Sequence, residues 1–220
     1  MTISIELTNK SRAVIESEKM NISDDDLISS HLNKTIAAIK SLDEKKLSFF
    51  VEKVMKTVAS KNTIFFAGNG GSASTASHFV NDLLTAYTYE QTAERPFTHK
   101  KAKAQSLSES TGIITGLTND FNFDEIFVNQ LRTISDTGDM LVIITASGNS
   151  QNLLNAVNYA NENGVFTVAI VGFDGGKVSK TAKLVIHAKT DQGDYGPAED
   201  VHLVINHAVA SLIREKLYKK

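Results

Sequence analysis

The stretch TIFFAGNGGSASTASHF, residues 63–79, decides the fold. Thr63 to Ala67 is a short β-branched and aromatic run with the length of a buried strand. Gly68-Asn69-Gly70-Gly71-Ser72 follows as a small-residue turn, and the spacing beyond it predicts a helix over 73–89. A strand that passes through a glycine turn into a helix is the opening of an α/β unit.

The same texture continues downstream. Ile113–Leu117, Met140–Thr145, Val165–Val171 and Leu184–Ala188 are further short apolar runs, and helical patterns lie near 124–135, 151–162 and 199–217. Near-continuous apolar strands alternating with helices predict a parallel sheet covered on both faces. The expected fold is therefore α/β, a three-layer sandwich of about five parallel strands over residues 61–220. Tyr87 to Ser106, with Arg95-Pro96 and the basic run His99 to Lys103, fits neither period and reads as a solvated surface loop, with a mobile active-site loop as the alternative.

Upstream, residues 1–60 carry no strand pattern. Helices are expected near 7–20, 24–41 and 44–60. Ser23 before Asp24, Asp25 and Asp26 is a strong helix start, because acids favour the positive end of the helix dipole. Leu27, Ile28, His31, Leu32, Ile36 and Ile39 then recur at helical spacing. This segment reads as an N-terminal helical arm that covers a core or forms an oligomer interface.

Composition narrows the chemistry. The 220 residues hold no cysteine, which removes disulfides, thiolate metal sites and thiol nucleophiles. Any metal must be held by His, Asp, Glu or Gln. With 23 basic and 25 acidic residues the net charge is −2, a poor footprint for direct nucleic-acid binding. No apolar run approaches the roughly 18 residues of a membrane span, and Met1 to Arg12 lacks the apolar core of a signal peptide. The expectation is a cytoplasmic protein that contacts no membrane.

In open α/β sheets ligands bind beyond the carboxyl ends of the strands. The turns that lie there are GNGGS at 68–72, ASGNS at 146–150 and GFDGG at 172–176. Glycines let the backbone approach a ligand closely, and free N–H groups at a following helix start favour an anion. Neither of the first two turns contains Lys or Arg, and neither matches a nucleotide-binding glycine motif. A single phosphate ester held by neutral donors fits them better.

GNGGSASTASHF at 68–79, TNDFNFDEIF at 118–127, then ASGNS and GFDGG at these intervals resemble the sugar-isomerase (SIS) domain family, over nearly the whole chain. The resemblance implies a flavodoxin-like sheet, a homotetramer with active sites at subunit interfaces, and aldose–ketose interconversion of sedoheptulose 7-phosphate and a manno-heptose 7-phosphate for surface polysaccharide. It implies phosphate binding by Thr145, Ser147 and Ser150, and contacts from Asn69 and Ser72 to the sugar. Gly70, Gly71, Asn119, Asp120 and Asn149 complete the candidate substrate-binding set.

His78 and Asp82 are four residues apart, on one face of the expected helix. Glu199 and His207 are eight apart, about 12 Å of helical rise, and share one small ligand only if both side chains lean inward. The resemblance carries to these four positions a possible zinc site and the acid and base of an enediol route, with Asp82 or Glu199 as base and His207 as its partner. Two of them depart from the family's His, Glu, Gln, His pattern: Asp82 is one methylene shorter than Glu, and Glu199 adds a charge. Ala86 stands where the family often has Arg, Glu109 where an Asp is usual, and Gly196 where another Asp is usual. Relatives leave two other readings: a non-catalytic protein that binds a replication initiator, and a sugar-phosphate-sensing module. The retained His78, Asp82 and His207 argue against the first, and the absence of a DNA-binding segment against the second.

Overall fold

The computed structural model describes residues 23–88 and 101–218. The helix expected at 7–20, and the Arg95-Pro96 and His99-Lys100 parts of the predicted loop, lie outside these residues.

Five strands form one parallel sheet. They are β1 (Thr63–Gly68), β2 (Lys103–Ser106), β3 (Met140–Thr145), β4 (Phe166–Val171) and β5 (Leu184–His187), in the order β2-β1-β3-β4-β5. Seven helices accompany them among the described residues: α1 (Asp24–Lys40), α2 (Glu44–Ala59), α3 (Gly71–Thr88), α4 (Thr111–Asp120), α5 (Ile126–Ile134), α6 (Gln151–Glu162) and α7 (Tyr195–Tyr218). The strand order reverses direction between β1 and β3. A crevice opens at such a switch point in doubly wound sheets, outside the carboxyl ends of the two strands.

Alternation along the strands supplies two cores. Ile64 and Phe66 of β1 face one layer with Val142, Ile144 and Ile170, under α2, α3 and α7. Phe65 and Ala67 face the other with Leu141, Ile143 and Ala169, under α5 and α6. Every residue of β3 is buried, as the central strand of a sheet covered on both faces must be.

One predicted strand is not a strand. Ile113–Leu117 lies within α4, whose N-cap Ser110 accepts a hydrogen bond from the Ile113 N–H. Ile114 and Leu117, three apart, pack on the core while Ile113 is exposed, which is helical and not alternating spacing. The second strand is instead Lys103–Ser106, at the end of the stretch read as a loop. It sits at the sheet edge with only Ser106 buried, so its sequence KAQS needs no apolar run.

The N-terminal segment divides in two. In α2, Phe50, Val51 and Val54 belong to the same core as Ile64 and Phe66. In α1 only Ala38 is buried, and Leu27, Ile28, Leu32 and Ile36 are each about half exposed. The predicted start of α1 is a capping box: Ser23 Oγ accepts from the Asp26 N–H, and the Asp26 carboxylate accepts from Ser23. Towards α7, His31 Nε2 pairs with Asp200 at 2.8 Å and Lys34 with Asp194 at 2.7 Å.

Candidate active site

The switch-point crevice holds a cleft of about 130 Å³, with Asn69, Ser72, Thr145, Ser147, Ser150, Tyr195 and Glu199 at its polar walls and Ile144 and Leu153 below. The two turns read as anion-binding therefore meet in one place. No lining residue is cationic, and Glu199 is the one carboxylate.

Backbone geometry explains the glycines. Gly148 adopts a left-handed φ of 65°, and a Cβ there would strike the Gly175 carbonyl; one at Gly176 would strike the Ser147 carbonyl. The ASGNS and GFDGG turns are pressed together, and hydrogen bonds hold them. Val178 N–H donates to the Gly148 carbonyl at 3.0 Å, and Lys177 N–H to Asn149 Oδ1 at 3.1 Å. Asn149 also donates to the Ser147 carbonyl, so its amide braces the turn and does not line the cleft. Thr145 Oγ1 accepts from the Gly148 N–H. Ser150 is the N-cap of α6 but makes no side-chain capping bond, which leaves its hydroxyl for a ligand.

Asn119 and Asp120 do not reach this cleft. They close α4, both exposed, and the Asn119 amide donates to Asp120 at 3.0 Å. Gly70 turns the chain with φ 54°, and Gly71 opens α3. A Cβ on Gly71 would collide with the Glu199 carboxylate, so this glycine makes room for that acid.

Helices α3 and α7 run side by side in the same direction. Glu199 meets Gly71 at one end of their seam, and His207 meets His78 and Asp82 farther along. Three of the four predicted metal positions therefore come together. The two Nε2 atoms of His78 and His207 are 3.4 Å apart, His78 Nε2 lies 3.5 Å from Asp82 Oδ1, and His207 Nε2 lies 3.8 Å from Asp82 Oδ2. Donors around a tetrahedral zinc, at bonds of about 2.0–2.1 Å, stand about 3.3 Å from one another. Two imidazoles and a carboxylate at these separations fit such an ion. The fourth position, Glu199, is not among the groups that meet there: it lies about two turns before His207 on α7, about 12 Å of ideal helical rise, and lines the cleft.

Four polar residues near these groups carry no motif: sequence reasoning missed Asn152, Ser108 and Tyr195, and read Asn206 as structural. Asn152, fully buried, exchanges two hydrogen bonds with Asn69 across the crevice. Ser108 Oγ bonds both N–H and carbonyl of Gly68, anchoring the end of β1. Tyr195 stands at the cleft mouth, edge-on to Phe173 with ring centroids 5.0 Å apart. Asn206 donates to Asp82 Oδ2 at 3.0 Å. One buried group stays apart from the site. His202 on α7 is fully buried, and burial pushes its pKa down to about 4. Its ring nitrogens make no hydrogen bond of full geometry, and the Val171 carbonyl offsets the burial only in part.

A SIS domain model matches residues 29–172, well over half of the chain. The chain belongs to the SIS domain family. Within that family it is similar to a phosphoheptose isomerase of Helicobacter pylori, 30% identical over 89% of this chain and 98% of that one. It is also similar to the phosphoheptose isomerase of Sulfurimonas denitrificans, 33% identical over 72% of this chain and 75% of the relative. Among solved structures, phosphoheptose isomerase GmhA from Neisseria gonorrhoeae superposes with a TM-score of 0.75 at 25% identity, covering 87% of this chain and 98% of that chain.

Proposed function

We propose that this chain is an aldose–ketose isomerase that interconverts sedoheptulose 7-phosphate and D-glycero-D-manno-heptose 7-phosphate. The observation that carries the substrate class is the likeness to phosphoheptose isomerases over most of the chain, and the length of the α3–α7 seam is compatible with it. From Ser72 in the cleft to His78 is six residues, and from Glu199 to His207 eight, or about 9–12 Å of helical rise. An extended seven-carbon sugar phosphate has eight bonds between C1 and phosphorus. At about 1.3 Å of advance per bond of a zigzag chain, that is about 10 Å. A phosphate held by Thr145, Ser147 and Ser150 would thus set C1 and C2 beside His78, Asp82 and His207.

The chemistry follows from the groups at each end. The cleft offers hydroxyls and the first N–H groups of α6, which hold an anion without a basic residue. At the other end the reaction needs a base to take a proton from the carbon next to a carbonyl, and a partner to move protons at the oxygens. Asp82 is the base in this reading and His207 its partner. A carboxylate has two oxygens, so one can serve a cation while the other takes the proton. Glu199, which lines the cleft with Ser72, would contact the body of the sugar in this reading. His78, Asp82 and His207 would hold a zinc ion, which supplies Lewis-acid polarisation of a carbonyl oxygen when bound.

The reading includes a homotetramer. The half-exposed Leu27, Ile28, Leu32 and Ile36 give α1 an apolar face that a second copy would cover. It also includes the cytoplasm, because a charged phosphate ester does not cross a membrane unaided. No helix among the described residues is long and apolar enough to cross a membrane. The direct test is conversion of sedoheptulose 7-phosphate by the purified protein, with and without added zinc. Inactivity on this and on other C7 and C6 ketose phosphates in both conditions would sink the proposal.

A further inference from the structure

We infer that Asn206 is a positioning residue for the Asp82 carboxylate, and that it compensates for the short acid at position 82. The inference rests on the reading of His78, Asp82 and His207 as the reacting end of the site.

Packing does not account for Asn206. Its residue is 1% exposed, on the face of α7 that meets Phe50, Val54, Phe66, Phe79 and Leu83. Every other residue around that small void is apolar. An aliphatic side chain would pack there with nothing stranded, whereas Asn206 leaves its Oδ1 buried without a partner. A buried amide with half its capacity unmet is costly to fold, and such a group needs a reason.

The other half of the amide supplies the reason. Asn206 Nδ2 donates to Asp82 Oδ2 at 3.0 Å. Reversing the amide would aim an oxygen at an oxygen, so this orientation is the one that attracts an ionised carboxylate. Asp82 Oδ1, in turn, accepts from the Asn81 amide at 3.3 Å and faces His78 at 3.5 Å. The carboxylate is thereby set with one oxygen towards each histidine. A glutamate has an extra rotatable bond and about 1.5 Å more reach. The shorter aspartate can keep both contacts only if the rotation of its carboxylate is fixed, and the amide next to His207 fixes it. Groups that orient metal ligands in this way commonly carry 10–100-fold in affinity or activity.

The test uses the full-length protein and three readouts: cobalt(II) titration followed by its visible absorption, kcat and KM, and Tm. Asn206→Leu keeps the branching at Cγ and suits the apolar wall, though it is larger; Asn206→Ala is a second variant that cannot clash. We expect both to lose about 10–100-fold in cobalt affinity and in kcat, with KM within about twofold and the Tm of Asn206→Leu equal to or above that of the native protein. Adding Asp82→Glu to Asn206→Leu should recover at least about tenfold of the loss, because the longer carboxylate reaches the histidines untethered. Native cobalt affinity and kcat in both single variants would overturn the inference. So would losses that track an equal fall in Tm, or a double variant no better than Asn206→Leu. Cobalt binding is read without turnover. A protein that shows the affinity loss yet isomerises no sugar phosphate would keep this inference and refute the isomerase reading.

Discussion

Asn69 and Asn152 exchange two hydrogen bonds, each 3.0 Å, across the crevice between β1 and β3. Asn152 is buried and Asn69 partly so. The pair locks the GNGG turn to the first turn of α6, and with it the two loops that form the cleft. Asn152→Ala leaves the Asn69 amide facing a void, at a cost of about 1–3 kcal/mol. A chain of this size should then lose about 2–4 °C of Tm per kcal/mol. KM for the sugar phosphate should rise, because the two loops proposed to hold the phosphate would no longer be fixed to each other. Calorimetry and steady-state kinetics on this variant check both effects.

Asp82 and Glu199 are separable. Asp82→Asn removes the carboxylate from the histidine cluster and should lower kcat by about 10²–10⁴, the range for a general base. Glu199→Gln changes a group that lines the cleft and should raise KM or lower kcat within about tenfold. If Glu199→Gln abolished turnover while Asp82→Asn did not, the base would be Glu199.

Gly71→Ala probes the other end of the seam. The new Cβ would fall on the Glu199 carboxylate, which must leave its place or push α7 away from α3. Substrate affinity should fall about tenfold, with cobalt binding at His78, Asp82 and His207 little changed. Comparing KM with cobalt affinity in this one variant checks that cleft and cluster are distinct parts of the site.

Buried His202 makes stability depend on pH. Its folded pKa of about 4 lies below the unfolded value of 6.5. Between these values the unfolded chain binds the proton and the folded chain does not, so stability rises with pH. The neutral ring is therefore tolerated above about pH 6.5. Stability is lost as pH falls towards 4, by roughly 3 kcal/mol once both states are protonated. Urea titrations from pH 7 to 4 should show that slope, and His202→Leu should flatten it.

Much of this was legible in the amino-acid sequence, for physical reasons that also mark where reading fails. The central strands announce themselves because both faces are buried, as in MLVIIT at 140–145. The edge strand at Lys103–Ser106 does not, because one side of it is open and its residues are polar. Ile113–Leu117 was ambiguous as a short apolar run, and the Ser110 cap resolves it as helix. His78 and Asp82 are neighbours by local geometry alone. Glu199 enters the metal set only by resemblance, and in the structure it lines the cleft while His78, Asp82 and His207 cluster. Asn152 and Asn206 could not be found from spacing: each takes its role from a partner 83 or 124 residues away.

The proposed base, Asp82, would move a proton between C1 and C2 of a heptose phosphate through an enediol. Proton NMR of sedoheptulose 7-phosphate in deuterium oxide, with zinc-supplemented native protein and with Asp82→Asn, tests it most directly. On this assignment the native protein should form the aldose with deuterium at C2, and return ketose with deuterium at C1; Asp82→Asn should give neither signal. Aldose formed at the native rate by Asp82→Asn, or no aldose and no exchange with the native protein, would contradict it.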